Sequence, residues 1–280
     1  MLIDTHCHLD ATEFDPDRTQ VIERAQASGV ASIVIPAVHV RGFTHVQQLA
    51  RSIPGAAYAL GIHPLYVPQS SEDDLVYLEQ QIKVALSDPR FVAIGEIGLD
   101  FFVPELKTAE CAKKQEFFYQ TQLSLARQYG LPVLLHVRRS QDRLLKYLRA
   151  GSQVGGIAHA FNGSEQQARQ FMEQGFALGF GGTVTFERSL QIRRLAQSLP
   201  LDTLVLETDA PDIPPAWLGT PEHPTKRNEP AQVARIAQVL ATLRGVPPAE
   251  LVKATAHNAL RVLPRLHRLL SADPLIAMVN

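Results

Sequence analysis

Six side chains in this 280-residue sequence are of the kinds that bind divalent metal ions, and each stands at the end of a short apolar, β-branched run. His6 and His8 close the first run. Glu96, within Gly95-Glu96-Ile97-Gly98-Leu99-Asp100, closes the fourth, His136 the fifth, His159 the sixth and Asp209 the eighth. Residues two apart on an extended chain project to the same side, so His6 and His8 can converge while Cys7 faces away. Imidazole nitrogen and carboxylate oxygen are the usual ligands for zinc, manganese and related ions. Six are too many for one tetrahedral catalytic ion with an open position. They suit two ions roughly 3.5–4 Å apart that share a carboxylate, an arrangement that activates water and clamps the attacking and leaving oxygens of a displacement. The chemistry is hydrolysis, most naturally of a phosphate or amide bond.

Each residue also has a plainer reading. An HxH pair alone is a weak signal, Glu96 could be a helix-facing ion-pair partner, His159 a core histidine, and Asp209 a cap for the following turn. Five strand ends carrying such residues together favour the metal reading. Around them, Arg138 lies two beyond His136, so an extended chain aims it at the same pocket as a phosphate anchor; a surface ion pair is the alternative. His63, before Pro64, could touch substrate or an intervening water, or be a packed histidine. Glu207, two before Asp209, can support the site from behind. Cys7 reads as a packing residue and Asn228 as the N-cap of the last barrel helix. His39, His45, His223, His257 and His267 have no converging context.

The elements that must position these residues follow an alternating pattern. Strands are expected over Leu2–His8, Ala31–Val38, Ala56–His63, Phe91–Leu99, Pro132–Val137, Gly155–Phe161, Phe176–Thr185 and Thr203–Asp209. Helical spacing occupies about 16–28, 42–53, 73–87, 108–129, 141–150, 164–174, 188–198 and 229–244, with a further helix at about 248–262. Gly29 and Gly130 stand where left-handed caps fall, and Ser164 with Gln167 forms a capping box. Eight strand–helix units predict a closed parallel barrel, the (β/α)8 TIM fold, with an extra C-terminal helix; an open doubly wound sheet is the alternative. In a barrel the C-terminal strand ends form the active-site face. Residues 1–263 read as one domain. The loop from Asp212 to Pro230 reads as a site cover, and residues 264–280 as a peripheral tail.

Composition narrows the function. Lys and Arg number 27 against 28 Asp and Glu, a net charge of −1, so the chain does not coat nucleic acid through bulk charge, although a local phosphate site remains open. The two cysteines imply no disulfide scaffold and a reducing compartment. No apolar run approaches the length of a spanning helix, and Asp4 and His6 stand where a signal peptide would be basic and then apolar. The expectation is a cytoplasmic protein without a membrane or obligate protein partner.

The motifs then add up to a resemblance. Ile3-Asp4-Thr5-His6-Cys7-His8, Gly61-Ile62-His63-Pro64, the segment around Glu96, Leu135-His136-Val137-Arg138, His159-Ala160-Phe161-Asn162-Gly163-Ser164, Leu206-Glu207-Thr208-Asp209-Ala210-Pro211 and Arg227-Asn228-Glu229-Pro230 occur in order across nearly the whole chain. In this the sequence resembles the TatD family of metal-dependent deoxyribonucleases, particularly its YjjV-like branch. The resemblance implies an amidohydrolase-like barrel with two divalent ions, zinc foremost, manganese or magnesium as alternatives. It implies that His6, His8, Glu96 and Asp209 hold one ion, and that a bridging Glu96 with His136 and His159 holds the other. It further implies that Asp209 takes a proton from the attacking water, and that the substrate is DNA, cleaved 3′ to 5′ at short or single-stranded ends. Phe101-Phe102 stands where many members carry tyrosine. Two other functions fit the residues: hydrolysis of a small phosphate ester, amide or lactone on the same centre, and non-catalytic metal binding.

Overall fold

The structure, a computed structural model, describes residues 1–220 and 226–272. Eight strands run β1 (Leu2–Asp4), β2 (Val30–Pro36), β3 (Ala57–Leu60), β4 (Phe91–Asp100), β5 (Val133–Arg138), β6 (Gly156–Ala158), β7 (Phe176–Phe180) and β8 (Leu204–Leu206). Each pairs in parallel with the next in one sheet. The seam between β8 and β1 is joined just past the strand ends. Thr5 N–H donates to Leu206 O (3.0 Å), Asp209 N–H to His6 O (2.8 Å) and His8 N–H to Ala210 O (2.8 Å). Asp4 adds a clasp, its carboxylate accepting both Thr208 N–H (2.9 Å) and the Thr208 hydroxyl (2.6 Å). The expected TIM barrel is the fold.

The helices are α1 (Arg18–Ala27), α2 (Phe43–Ser52), α3 (Glu72–Ala85), α4 (Ala109–Tyr129), α5 (Gln141–Arg149), α6 (Glu165–Glu173), α7 (Leu190–Ser198), α8 (Val233–Arg244), α9 (Pro248–Val262) and α10 (Pro264–Ser271). The Ser164–Gln167 capping box opens α6, and Gly130, left-handed at φ +60°, closes α4. Several strands are shorter than their apolar runs. β1 stops at Asp4, β6 at Ala158 and β8 at Leu206, so His6, His8, His159 and Asp209 lie on the loops that leave the barrel. The backbone turns sharply there, with left-handed Ala160 (φ +43°) and Asp209 (φ +58°), and a chain that leaves the ladder aims side chains that alternation alone cannot aim.

The core has two layers. An outer one lies between strands and helices. An inner one takes residues from every strand, among them Ile3, Val34, Leu134, Ile157 and Val205, and continues into α9 and α10 through Ala259, Val262, Leu266 and Leu270. Parallel strands buried on both faces explain the near-continuous apolar runs. Here the expected tail at 264–280 needs correction. Its first part is α10, whose leucines bury into the inner layer, and Arg265 donates to Leu86 O, Asp88 O and Phe91 O at the start of β4. An eight-residue helix shows only two turns of apolar spacing, too short a trace for periodicity to reveal. Residues 273–280 lie outside the described residues. No helix among the described residues is long and apolar enough to cross a membrane.

The packed α10 sets a stability test. Leu266, fully buried, should cost about 2–5 kcal/mol on replacement by Ala, read from urea unfolding; a peripheral tail would cost less than about 0.5 kcal/mol.

Candidate metal centre

Glu96 lies at the middle of the site. β4 is buried along its whole length, and between Ile94 and Ile97 it carries one residue more than β5 does between Val133 and Leu135. This bulge re-aims the intervening side chains. Close approach of the two strands requires Gly98, where a β-carbon would fall 2.2 Å from His136 O.

The two oxygens of Glu96 face different groups. Oε2 lies 3.1 Å from His6 Nε2 and 3.4 Å from His8 Nε2. Asp209 Oδ1 completes that side, 3.6 Å from His6 Nε2 and 3.5 Å from His8 Nε2. Oε1 lies 2.9 Å from His136 Nδ1, 3.4 Å from His63 Nε2 and 3.6 Å from His159 Nε2. All six residues expected as ligands thus meet in one place, and His63 joins them. The donor set fits metal binding. A tetrahedral ion with bonds of about 2.0–2.1 Å holds its ligand atoms about 3.3–3.4 Å apart, and the four histidine–carboxylate separations among His6, His8, Glu96 and Asp209 bracket that value.

Carboxylates behind the imidazoles set their tautomers. His136 Nε2 lies 3.1 Å from Asp100 Oδ2, so an Nε2–H donated there leaves the Nδ1 lone pair facing Glu96. Asp100 also accepts the amides of Phe102 (2.7 Å) and Val103 (3.0 Å). Burial would raise its carboxyl, but His136 and these amides outweigh it and hold it at about 2. The motif reading assigned Asp100 no role, although strand parity sets it on the face of Glu96, with Gly98 between them. Glu207 Oε1 accepts Ala160 N–H (2.6 Å) and lies 3.4 Å from His159 Nδ1. It sits over Gly179 of β7, where a β-carbon would come within 2.1 Å of its Oε2. His63 differs from the others. Its Nδ1 accepts Leu65 N–H (3.1 Å), so the neutral ring carries its proton on Nε2, toward Glu96 and His136. Burial lowers it to about 4. With that tautomer His63 is a hydrogen-bond donor to the site rather than a ligand.

The charges interlock. Burial opposes protonation of His8 and His159, yet the surrounding carboxylates raise them to about 9 and about 10. Burial alone would raise Glu96, but His63, His6 and His159 hold it well below the usual carboxylate range. The carboxylates draw positive charge inward, which a divalent cation supplies in place of protons.

Arg138 lines the same cavity of about 1130 Å³, with Phe102, Arg139 and Gln141. It is half-exposed, its Nη1 3.8 Å from Asp100 Oδ2 and its guanidinium 4.0 Å from the centre of the Phe102 ring. Its ion-pair partner therefore belongs to the site. Asn228 is no N-cap. It is fully buried, and its amide donates to Thr208 O, Asp212 O and Ile213 O, tying down the loop that follows β8. His223 lies outside the described residues.

A (β/α)8 barrel with an imidazole and carboxylate cluster on its C-terminal rim defines the class of metal-dependent hydrolases with an amidohydrolase-like fold. The chain belongs to the family described as TatD related DNase, whose model matches residues 3–264. It is 38% identical over 264 residues to an uncharacterized metal-dependent hydrolase of Haemophilus influenzae, covering 92% of this chain and 98% of that one. It is 34% identical over 264 residues to a Salmonella typhimurium protein named 3′-5′ ssDNA/RNA exonuclease TatD, covering 92% and 97%. The crystal structure of YjjV, a TatD homologue from Escherichia coli, matches with a TM-score of 0.85 at 37% identity, over 94% of this chain and 98% of that one.

If Asp100 orients His136, Asp100→Asn should weaken metal binding about 10–100-fold while the fold persists. Chelator competition measures this; wild-type affinity would mean that His136 is held without Asp100.

Proposed function

We propose that this hydrolase cleaves phosphodiester bonds of DNA, from 3′ to 5′ at single-stranded ends, with two divalent ions held on either side of Glu96. The observation that carries the reading is the division of the donor set by the two Glu96 oxygens, with Arg138 on the wall of the same cavity. His6, His8 and Asp209 would hold one ion with Oε2, and His136 and His159 the other with Oε1, zinc being favoured by the imidazole-rich set. The relative named as a 3′-5′ ssDNA/RNA exonuclease supports a nucleic-acid substrate. Divalent ions held there would supply Lewis-acid activation of water and neutralise phosphate charge.

The chain's own residues divide the remaining work. Burial raises the Asp209 carboxyl, and His159 and His8 pull it back, leaving it at about 6. At neutral pH it is therefore mostly ionised and able to take a proton from the attacking water. His63 Nε2–H, beside Glu96 and His136, would donate to a substrate oxygen that reaches the centre, and Arg138 would grip a phosphate. Asn228 keeps the Asp209 loop rigid, so the base meets its proton in one geometry.

Two outcomes test this on labelled single-stranded DNA. Asp209→Asn keeps the shape but loses the basicity, so turnover should fall about a hundredfold or more and excess metal should not restore it. Full rescue of the variant by added zinc would make Asp209 a ligand only. Arg138→Ala should raise KM about tenfold or more with metal content unchanged; unchanged kinetics would leave Arg138 as an ion-pair partner of Asp100.

A further inference from the structure

Arg138 and Arg139 are adjacent, and on a continuing strand they would point to opposite sides. They do not. Arg139 is left-handed at φ +57°, a conformation unfavourable for a residue with a β-carbon, and its guanidinium folds back to 4.7 Å from the centre of the Phe102 ring, which Arg138 approaches at 4.0 Å. Ser140 holds the turn, its hydroxyl accepting Arg138 N–H (3.2 Å) and donating to Leu99 O (2.6 Å). Phe102 is itself held, its amide donating to Asp100. All three side chains line the cavity that contains Glu96 and Asp209. Among the described residues, no carboxylate pairs with Arg139 and no hydrogen bond occupies its guanidinium, so its charge stands on an aromatic ring at the cavity wall.

We infer that Arg138 and Arg139, stacked on Phe102, form a two-guanidinium site for two successive phosphates of one strand. This rests on the phosphodiesterase reading and adds to it the residues that contact a second phosphate of the strand. The geometry forms a path from the buried centre outward: Glu96 to His136, His136 to Asp100, Asp100 to Arg138, and then across Phe102 to Arg139. Arg138, 3.8 Å from the Asp100 that backs His136, would take the reacting phosphate. Arg139, with no carboxylate paired to it among the described residues, would take the neighbouring one. Guanidinium groups bind phosphate oxygens in bidentate fashion, and stacking on a ring holds them in place without neutralising them. A chain with a net charge of −1 thereby has local affinity for a polyanion without a basic surface.

The test compares a thymidine dinucleotide, with one internucleotide phosphate, and the trinucleotide, with two, on metal-loaded full-length protein. For the wild type, kcat/KM should be about tenfold or more higher on the trinucleotide, mostly through KM. That ratio should collapse toward unity in Arg139→Ala, and also in Phe102→Leu, which keeps apolar bulk but has no ring to stack on. The salt dependence of trinucleotide KM should weaken by about one phosphate contact in Arg139→Ala. A wild-type ratio in either variant overturns the inference. Equal kcat/KM on the two substrates in the wild type overturns it while leaving the phosphodiesterase reading intact. Turnover of neither by the wild type overturns both.

Discussion

A carboxylate that is 1% exposed, with imidazoles gathered around both of its oxygens, is the constraint on which this structure turns. Burying the Glu96 charge away from water is expensive unless positive charge and hydrogen bonds surround it. Five histidines come within 2.9–3.6 Å of its oxygens. To bring them there the barrel bulges β4, uses glycine where β4 meets β5, and turns the chain sharply after β6 and β8. Each is a departure from regular strand geometry, and each serves to bring a side chain to that one carboxylate.

The imidazoles themselves have to be held in one tautomer, because a ring that offers N–H to a cation cannot bind it. Asp100 does this for His136 from the far side, Glu207 sets a negative charge 3.4 Å behind His159 Nδ1, and a backbone amide does the reverse for His63. Three histidines facing one carboxylate oxygen thus take different parts according to what lies behind them. The same carboxylate lies 3.8 Å from Arg138, so the cavity wall and the imidazole cluster share Asp100.

At the opposite end the barrel is filled rather than functional. The inner core layer runs from the strands into α9 and α10, which seal the end remote from the site. On the site side the seam carries the Asp4–Thr208 clasp, at the last residue of β1 and two residues past the end of β8. Stability is therefore concentrated where the chemistry is not, and the rim keeps its strained residues because the rest of the barrel is well packed.

The amino-acid sequence by itself determined the alternation of strand and helix, the parallel barrel and the six residues at the strand ends. Those are local signals, carried by periodicity, β-branched runs and caps, and they survive whatever the distant chain does. Only the tertiary structure decided that His63 joins the Oε1 side as a donor and that Asp100 stands behind His136. The same holds for Asn228, which ties the loop after β8 rather than capping a helix, and for residues 264–271, which close the barrel rather than trail from it. Which partner a side chain meets depends on register, on a one-residue bulge and on left-handed residues such as Arg139, Ala160 and Asp209. None of these leaves a periodic trace, because each is imposed by neighbours far away in the chain.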